Sequence, residues 1–425
     1  MTGGYLDRRP GRYAAARPSP GRHRPWLLPL ACAVLALLIW VGPYTHVGPW
    51  ARPGLTDIGV YERVVEGIKA GRLPYRDLDL EYPPGAAVLF WLASLVPGHD
   101  LTQSFGRLMA VTWAIATGGA TTAAGLLGYA QRRQALIGLS MAALPLMLGS
   151  LITTRYDAVV TAVVSWLLVA ALATRWRWMW GLLIVATLLK IVPAALAPAL
   201  VIWQAHRTDS RRATRSLALA IAAGVAIVAP VVLWAPDGLR YVVHFHTARG
   251  AQIESTASSI VLALHTITGR SVVIDSTFGS QGPVGAGVTA FAQITMVASV
   301  LAIVVLVATF VRRLTRRPAP ADARLAVTML ASTIVLLVVG SKVLSPQYLL
   351  WIVPATLLIP GRRGLAALGM TCATMVATQL YFPGYYWSLV DVETLPIWLL
   401  LLRNLLLIAL VVLCWPRRSA AAGRA

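Results

Sequence analysis

The sequence predicts an all-α membrane protein, a polytopic bundle of about 11–13 transmembrane helices. Three observations lead there. Hydrophobic residues make up 57% of the 425 positions and charged ones only 12%, where soluble domains carry about 25% charged residues. The mean hydropathy is +0.69. Several apolar runs come close to or reach the roughly 20 residues that cross a bilayer as a helix, and the alternating pattern of barrel strands is absent.

The formal charge of +21 does not imply a nucleic-acid partner. Arginines collect beside apolar runs, as the positive-inside rule expects of cytoplasmic loops. Residues 1–25 hold Arg8, Arg9, Arg12, Arg17, Arg22 and Arg24 among Pro, Gly and Ala, and read as a disordered cytoplasmic tail. A single membrane domain follows over 26–415, with a second short tail at 416–425. Trp26 to Val41 is expected to be an anchor, since no small-residue cleavage site follows it. The three cysteines, Cys32, Cys372 and Cys414, lie in apolar runs without partner or metal spacing.

An external loop is expected over 42–103. Within it, Ile58 to Ala70 reads as an amphipathic helix: Tyr61, Val64, Val65 and Ile68 share one side, and Glu62, Arg63, Glu66 and Lys69 cover the other. Such a helix lies on a membrane and does not cross it. Gly71 ends it, and RLPYRDLDLEYPPG returns the chain toward lipid. GAAVLFWLASLVPG is too short for an ordinary span and reads as an interfacial or re-entrant helix.

Spans are then expected at Ser104–Ala130, Leu136–Ile152 and Ala158–Ala173, with Arg155, Tyr156 and Asp157 at the outer surface between the last two. Trp178–Trp203 has arginines at both ends, so one crossing would strand a basic cluster outside. A hairpin turning near Lys190 to Pro193 keeps both inside. Leu217–Trp234 leads to a long external segment, 235–284. Further spans follow at Gly285–Val311, Leu325–Ser341, Tyr348–Pro360, Leu365–Tyr381 and Pro396–Trp415. Both termini are then cytoplasmic. All of the 16 acids except Asp7, Asp209 and Asp322 fall at or beyond the outer side.

Candidate chemistry therefore concentrates on one face. Within the first external loop, the stretch Thr56 to Gly85 alone carries six of the 16 acids. Asp57, at a helix start, either caps the helix or acts as a general base on a hydroxyl; a well-satisfied cap is a poor base. Asp77, Asp79 and Glu81 alternate, so an extended backbone would put them on one face, beside Tyr82. They suit substrate hydroxyls or a divalent cation, or are merely a solvated loop. RYVVHFHTARGAQIESTASS gathers His244, His246, Arg249, Gln252, Glu254 and Ser255 next to lipid, and a guanidinium fork matches phosphate. Arg155, Lys190 and Lys342 are basic residues at membrane depth, where charge usually marks a site or pathway, although Arg155 and Lys342 could instead snorkel. Ser345, Pro346 and Gln347, before Tyr348, would break a helix and expose backbone near the outer face. No dinucleotide, P-loop, HExxH or GxSxG motif is present.

Asp57 in the first external loop, PYRDLDLEYPPG, TRYDAV, LLKIVP, HTARGAQIES and SKVLSPQYLLWIVP, in that order over about residues 55–355, resemble glycosyltransferase family 87 of the GT-C superfamily. The resemblance implies an inverting enzyme of the plasma membrane, with its active site on the external side. Its sugar donor would be a polyprenyl-phosphate sugar, mannose before arabinofuranose, and its acceptor a hydroxyl of a cell-envelope glycolipid or glycan. It implies Asp57 as general base. Arg249, His246 and Lys342, with Arg155, Lys190, Gln252, Glu254, Gln347 and Tyr348 around them, would contact the donor phosphate or sugar. Asp77, Asp79, Glu81 and Tyr82 would support the acceptor or the loop. Asp57 stands in TDIG rather than in an Asp-x-Asp pair, so no metal or other cofactor is expected. The competing reading is a lipid-linked-sugar flippase, against which no internal repeat between the halves is visible.

Overall fold

The computed structural model describes residues 24–41, 55–315 and 321–416; the expected tails and the start of the first loop lie largely outside them. The described chain is almost entirely helical, as an all-α membrane protein should be, with one short antiparallel hairpin, β1 (Val273–Asp275) against β2 (Gly282–Val284). Among the described residues, four helices are long and apolar enough to cross a membrane: α10 (Ser210–Trp234), α13 (Ala286–Leu314), α14 (Ala321–Gly340) and α18 (Thr394–Cys414). Around them, in chain order, stand α1 (Leu27–Val41), α2 (Ile58–Lys69), α3 (Pro84–Ala93), α4 (Leu101–Leu126), α5 (Gln131–Ala143), α6 (Leu151–Thr154), α7 (Asp157–Leu172), α8 (Trp176–Leu189) and α9 (Ala197–Arg207). The rest are α11 (Pro236–Ala248), α12 (Thr256–Thr268), α15 (Leu349–Leu357), α16 (Gly361–Tyr381) and α17 (Tyr386–Val390).

Hydrogen bonds sort the loops into two ends. At the basic end, Arg133 donates to the carbonyls of Leu357 and Ile359, Arg324 to Leu127, Arg363 to Leu413 and Trp415, and Arg313 to Pro416. These guanidinia satisfy carbonyls that helix ends leave unpaired and sit where the helix dipole favours a cation. Arg207 grips the fully buried Asp322 there through two donors. The other end gathers the residues around Asp57, Arg155, Lys190 and Lys342.

The interior is layered by exposure. α14 is 83% buried across its apolar window, whereas only 6% of that window in α10 and 11% in α13 is covered. The last two are therefore lipid-facing walls, apolar on nearly every side.

Several expected spans are built differently. Leu136–Ile152 is α5, a 3₁₀ turn at Leu144–Leu148 and then α6. Pro145 cannot donate to the helical ladder, and Gly149 takes φ +61°, which suits a residue without Cβ. Trp178–Trp203 is the hairpin that its flanking charges demand. α8 stops at Leu189, Lys190 is extended, and a 3₁₀ turn at Val192–Leu196 leads into α9. Trp176 meets Trp203 edge-on at 6.1 Å, and Trp180 Nε1 donates to Gln204 Oε1 at 2.7 Å, so the two arms run antiparallel. Tyr348–Pro360 contains only the nine-residue α15, too short to cross unaided. The segment 235–284 is not a plain external loop, because α12 buries Leu262 and Ala263 and packs against α18.

α11 is pinned to the first loop at its N-terminus. A Cβ on Gly238 would collide with the backbone carbonyl of Tyr75, which is not a flexible neighbour. Gly238→Ala should therefore destabilise the protein by about 1–3 kcal/mol, as overpacking does. A thermal midpoint in detergent unchanged from wild type would show that α11 can shift freely.

Candidate active site

Asp57 begins α2 but does not cap it. Its backbone is at φ −94°, ψ 3° and its side chain makes no capping bond; Thr56 Oγ1 accepts from the Ile58 amide instead, at 3.1 Å. The Asp57 carboxylate, 31% exposed, forms an ion pair with Arg155, whose side chain is 9% exposed. Arg155 Nη2 also donates to the Leu55 carbonyl at 2.7 Å. One guanidinium thus fixes both the carboxylate and the backbone that carries it. Burial pushes Arg155 down to about 10, so it stays a cation at neutral pH.

Five rings explain why the two partners meet. Tyr61 of α2 stacks on Phe90 of α3 at 4.1 Å, and Phe105 of α4 tilts against it at 5.1 Å. Tyr82 and Tyr156 meet edge-on at 5.7 Å, and both contact Phe90 edge-on. Offset and edge-on ring pairs are each worth about 0.5–1.5 kcal/mol beyond area burial. The cluster locks α2, which follows Asp57, to Tyr156, which follows Arg155. Tyr82 is thus part of the frame.

The Arg155–Tyr156–Asp157 triplet, expected at the outer surface, is buried. Asp157 is 1% exposed. It tolerates this because Lys190 Nζ lies 2.7 Å from its Oδ1. Lys190 also lies 4.7–4.9 Å from the ring centres of Tyr156, Tyr348 and Trp351. An ammonium over aromatic faces is attracted by the ring quadrupole. Tyr348 stacks on Trp351 at 4.2 Å, next to the buried Gln347 in the 3₁₀ turn Pro346–Tyr348. Lys190 is therefore already neutralised and caged, rather than presented to an anion.

The loop after α11 supplies the remaining charge. His246 Nε2 donates to the Glu81 carbonyl at 2.9 Å, joining α11 to the first loop. Arg249 Nε donates to Ser280 Oγ at 3.0 Å, and its side chain is half-buried over Phe245. Lys342 Nζ donates to the carbonyls of Thr247 and Arg249 at 3.1 and 2.6 Å, which leaves one ammonium proton of three. Burial and the nearby Arg249 both push Lys342 down. Gln252 closes the loop: its backbone amide donates to the Lys342 carbonyl at 2.8 Å, its Oε1 accepts from Ser345 Oγ at 3.1 Å, and its Nε2 donates to Glu254 Oε2 at 2.9 Å. His244, by contrast, faces Phe278 of the hairpin.

Glu254 is buried, with Tyr381 donating to its Oε1 at 3.0 Å. Although its loop lies outside the spanning helices, burial lifts it to about 7 against the pull of Arg403 and Tyr381. Arg403 of α18 donates to the Glu254 carbonyl and to Tyr381 Oη. Tyr381, Arg403 and Asn404 are absent from the sequence-based site; the Arg-Asn pair inside LLLLRNLLL was the available signal.

Asp77, Asp79 and Glu81 do not form one surface. Asp77 lies in a turn, where its Oδ2 accepts from the Leu73 amide at 2.9 Å. Only Asp79 and Glu81 share the extended stretch, with Leu80 buried between them. The turn is closed by a bridge between Pro74 and Leu78, which consumes the alternation before it can include Asp77.

Beside this polar end opens an apolar cleft of about 630 Å³ between α8 and α10, lined by Leu183, Thr187, Leu188, Val225, Val228 and Leu233. Leu188 stands two residues before Lys190, and Gly85 at the start of α3 abuts the Leu188 carbonyl, where a Cβ would come within 2.7 Å. One end of the cleft is thus next to the ring cage.

Comparison with curated proteins gives no match. The model of glycosyltransferase family 87 matches residues 80–346. The matched part includes Arg155, Lys190, Arg249, Gln252, Glu254 and Lys342, begins after Asp57, and stops before Tyr381 and Arg403. It spans well over half of a helical membrane chain whose matched polar residues converge at one end, so this chain belongs to glycosyltransferase family 87 and is a membrane glycosyltransferase.

Proposed function

We propose that the chain transfers mannose from a polyprenyl-phosphate donor to a hydroxyl of a cell-envelope glycolipid or glycan, on the outer face of the plasma membrane. The observation that carries this reading is the half-open Asp57 carboxylate, held by Arg155 on a family 87 frame and turned away from helix capping. A neighbouring guanidinium favours the ionised form of a carboxylate, and an ionised carboxylate is what a general base must be.

In the proposed reaction Asp57 accepts the acceptor's hydroxyl proton as that oxygen attacks the anomeric carbon. The bond from this carbon to the phosphate oxygen breaks, its electron pair stays on the phosphate, and the configuration inverts. Arg249 is the better phosphate ligand of the expected set: Nη1 and Nη2 have no protein partner among the described residues. Lys342 adds its remaining proton and holds the backbone of Arg249. Fixed cations aimed at the leaving phosphate stabilise charge as it develops. His246, Gln252 and Glu254 hold the loop that carries Arg249. The cleft between α8 and α10 supports a lipid-linked substrate, because an isoprenoid chain can lie there while its phosphate stays at the polar end. The choice of mannose follows from the family resemblance alone.

The test is transfer by purified, reconstituted protein, with radiolabelled polyprenyl-phosphate mannose and a membrane glycolipid extract. A new glycosidic bond, formed equally well in EDTA, is the expected result, since Arg249 and Lys342 would meet the phosphate charge without a metal. Movement of intact lipid-linked sugar between leaflets without bond formation would replace this reading with the flippase.

A further inference from the structure

Arg403 stands near the midpoint of α18, with four leucines before it and Asn404 and three leucines after it. It is fully buried. Its Nη2 donates to the Glu254 carbonyl at 2.9 Å and to Tyr381 Oη at 2.8 Å, and Tyr381 in turn donates to Glu254 Oε1. Asn404 Nδ2 reaches the carbonyls of Glu254 and Ser255 at 3.4 and 3.3 Å. Arg403 Nε and Nη1 and Asn404 Oδ1 are buried with no partner among the described residues.

Stability alone gives a poor account of this arrangement. Burying a charge costs several kcal/mol, and well-packed apolar residues of similar volume are often as good or better. Polar atoms left unpaired at this depth add to the cost. Charges inside membrane segments are rare and tend to be functional. What Arg403 gains is a fixed loop. Glu254 accepts from Gln252, whose Oε1 and backbone amide bind Ser345 and the Lys342 carbonyl. The Lys342 ammonium then holds the Arg249 carbonyl. A short chain of hydrogen bonds therefore runs from the middle of α18 to the backbone carbonyl of Arg249.

We propose that Arg403 is a positioning residue, which sets affinity for the anionic phosphate of a lipid-linked substrate by fixing the loop 249–255. This rests on the reading of Arg249 as the phosphate ligand. Both bonds leave one nitrogen, Nη2, at the far edge of the rigid guanidinium, and a lysine keeps the charge but carries it on a flexible stem that does not fix a donor at that point.

The experiment is a double-mutant cycle on protein in lipid nanodiscs, with Arg403→Lys, Arg249→Lys and the double variant. Polyprenyl phosphate binding is read by tryptophan fluorescence, and donor and acceptor KM by transfer. Arg403→Lys should weaken lipid-phosphate binding and raise donor KM about tenfold, with acceptor KM unchanged. In the Arg249→Lys background the same change should add little, since contacting networks are non-additive by this order. Tyr381→Phe, which removes the link between Arg403 and the Glu254 carboxyl while keeping the ring, should show a smaller effect of the same kind and covers the case in which Arg403→Lys does not fold. A lower folded yield with donor KM and lipid affinity unchanged would make Arg403 merely structural and overturn the proposal, as would additive effects in the cycle. If wild type binds polyprenyl phosphate but transfers no sugar, the function reading fails while the binding cycle still decides the role of Arg403. Absence of lipid-phosphate binding by wild type overturns both.

Discussion

Replacing Asp57 by Asn is expected to lower transfer by about 10²–10⁴-fold, the usual contribution of a positioned general base. Donor KM should change little, because the carboxylate acts on the acceptor hydroxyl. The amide keeps the size of the side chain and removes its ability to take a proton. It also leaves Arg155, 8% exposed, without its counter-charge, so part of the loss could come from a disturbed loop. The double change Asp57→Asn/Arg155→Met separates the two causes. It removes both charges and should recover the thermal midpoint without recovering transfer. Full activity in the single variant would strip Asp57 of its role, and activity regained in the double variant would make the ion pair structural.

The largest effect on stability is expected at Lys190. Lys190→Met leaves Asp157, 1% exposed, without its ion-pair partner, and breaking a buried pair from one side costs about 3–5 kcal/mol. The attraction to the three surrounding rings is lost as well. Asp157→Leu/Lys190→Met removes both charges and should return most of that stability, measured as the unfolding midpoint in detergent. A single variant as stable as wild type would mean that water reaches Asp157 and that the cage is not dry.

Local signals read well from the sequence and distant ones did not. The amphipathic helix expected at Ile58–Ala70 is α2 to within a residue, because side-chain periodicity and Gly71 both act over one or two turns. The α8–α9 hairpin followed from arginines at both ends of one apolar run, a constraint set by the membrane rather than by packing. The partner of Asp57 was another matter. Arg155 binds the carbonyl of Leu55, 100 residues away, and nothing near either residue announces the meeting. The burial of Asp157 depends likewise on Lys190, 33 residues downstream. α12 was overlooked because its 13 residues fall short of a spanning length and follow a polar stretch. Arg403 and Asn404 disappeared into the average of a strongly apolar window, where two polar residues hardly change the mean.

The clamp from α18 also bears on how the protein is made. Glu254 leaves the ribosome 149 residues before the arginine that holds it, so its loop waits, without its anchor, through several further insertions into the bilayer. Every residue matched by the family model is already in place at Pro346. A nascent chain halted between that point and α18 would thus carry the whole matched stretch while lacking the arginine and asparagine that anchor its loop.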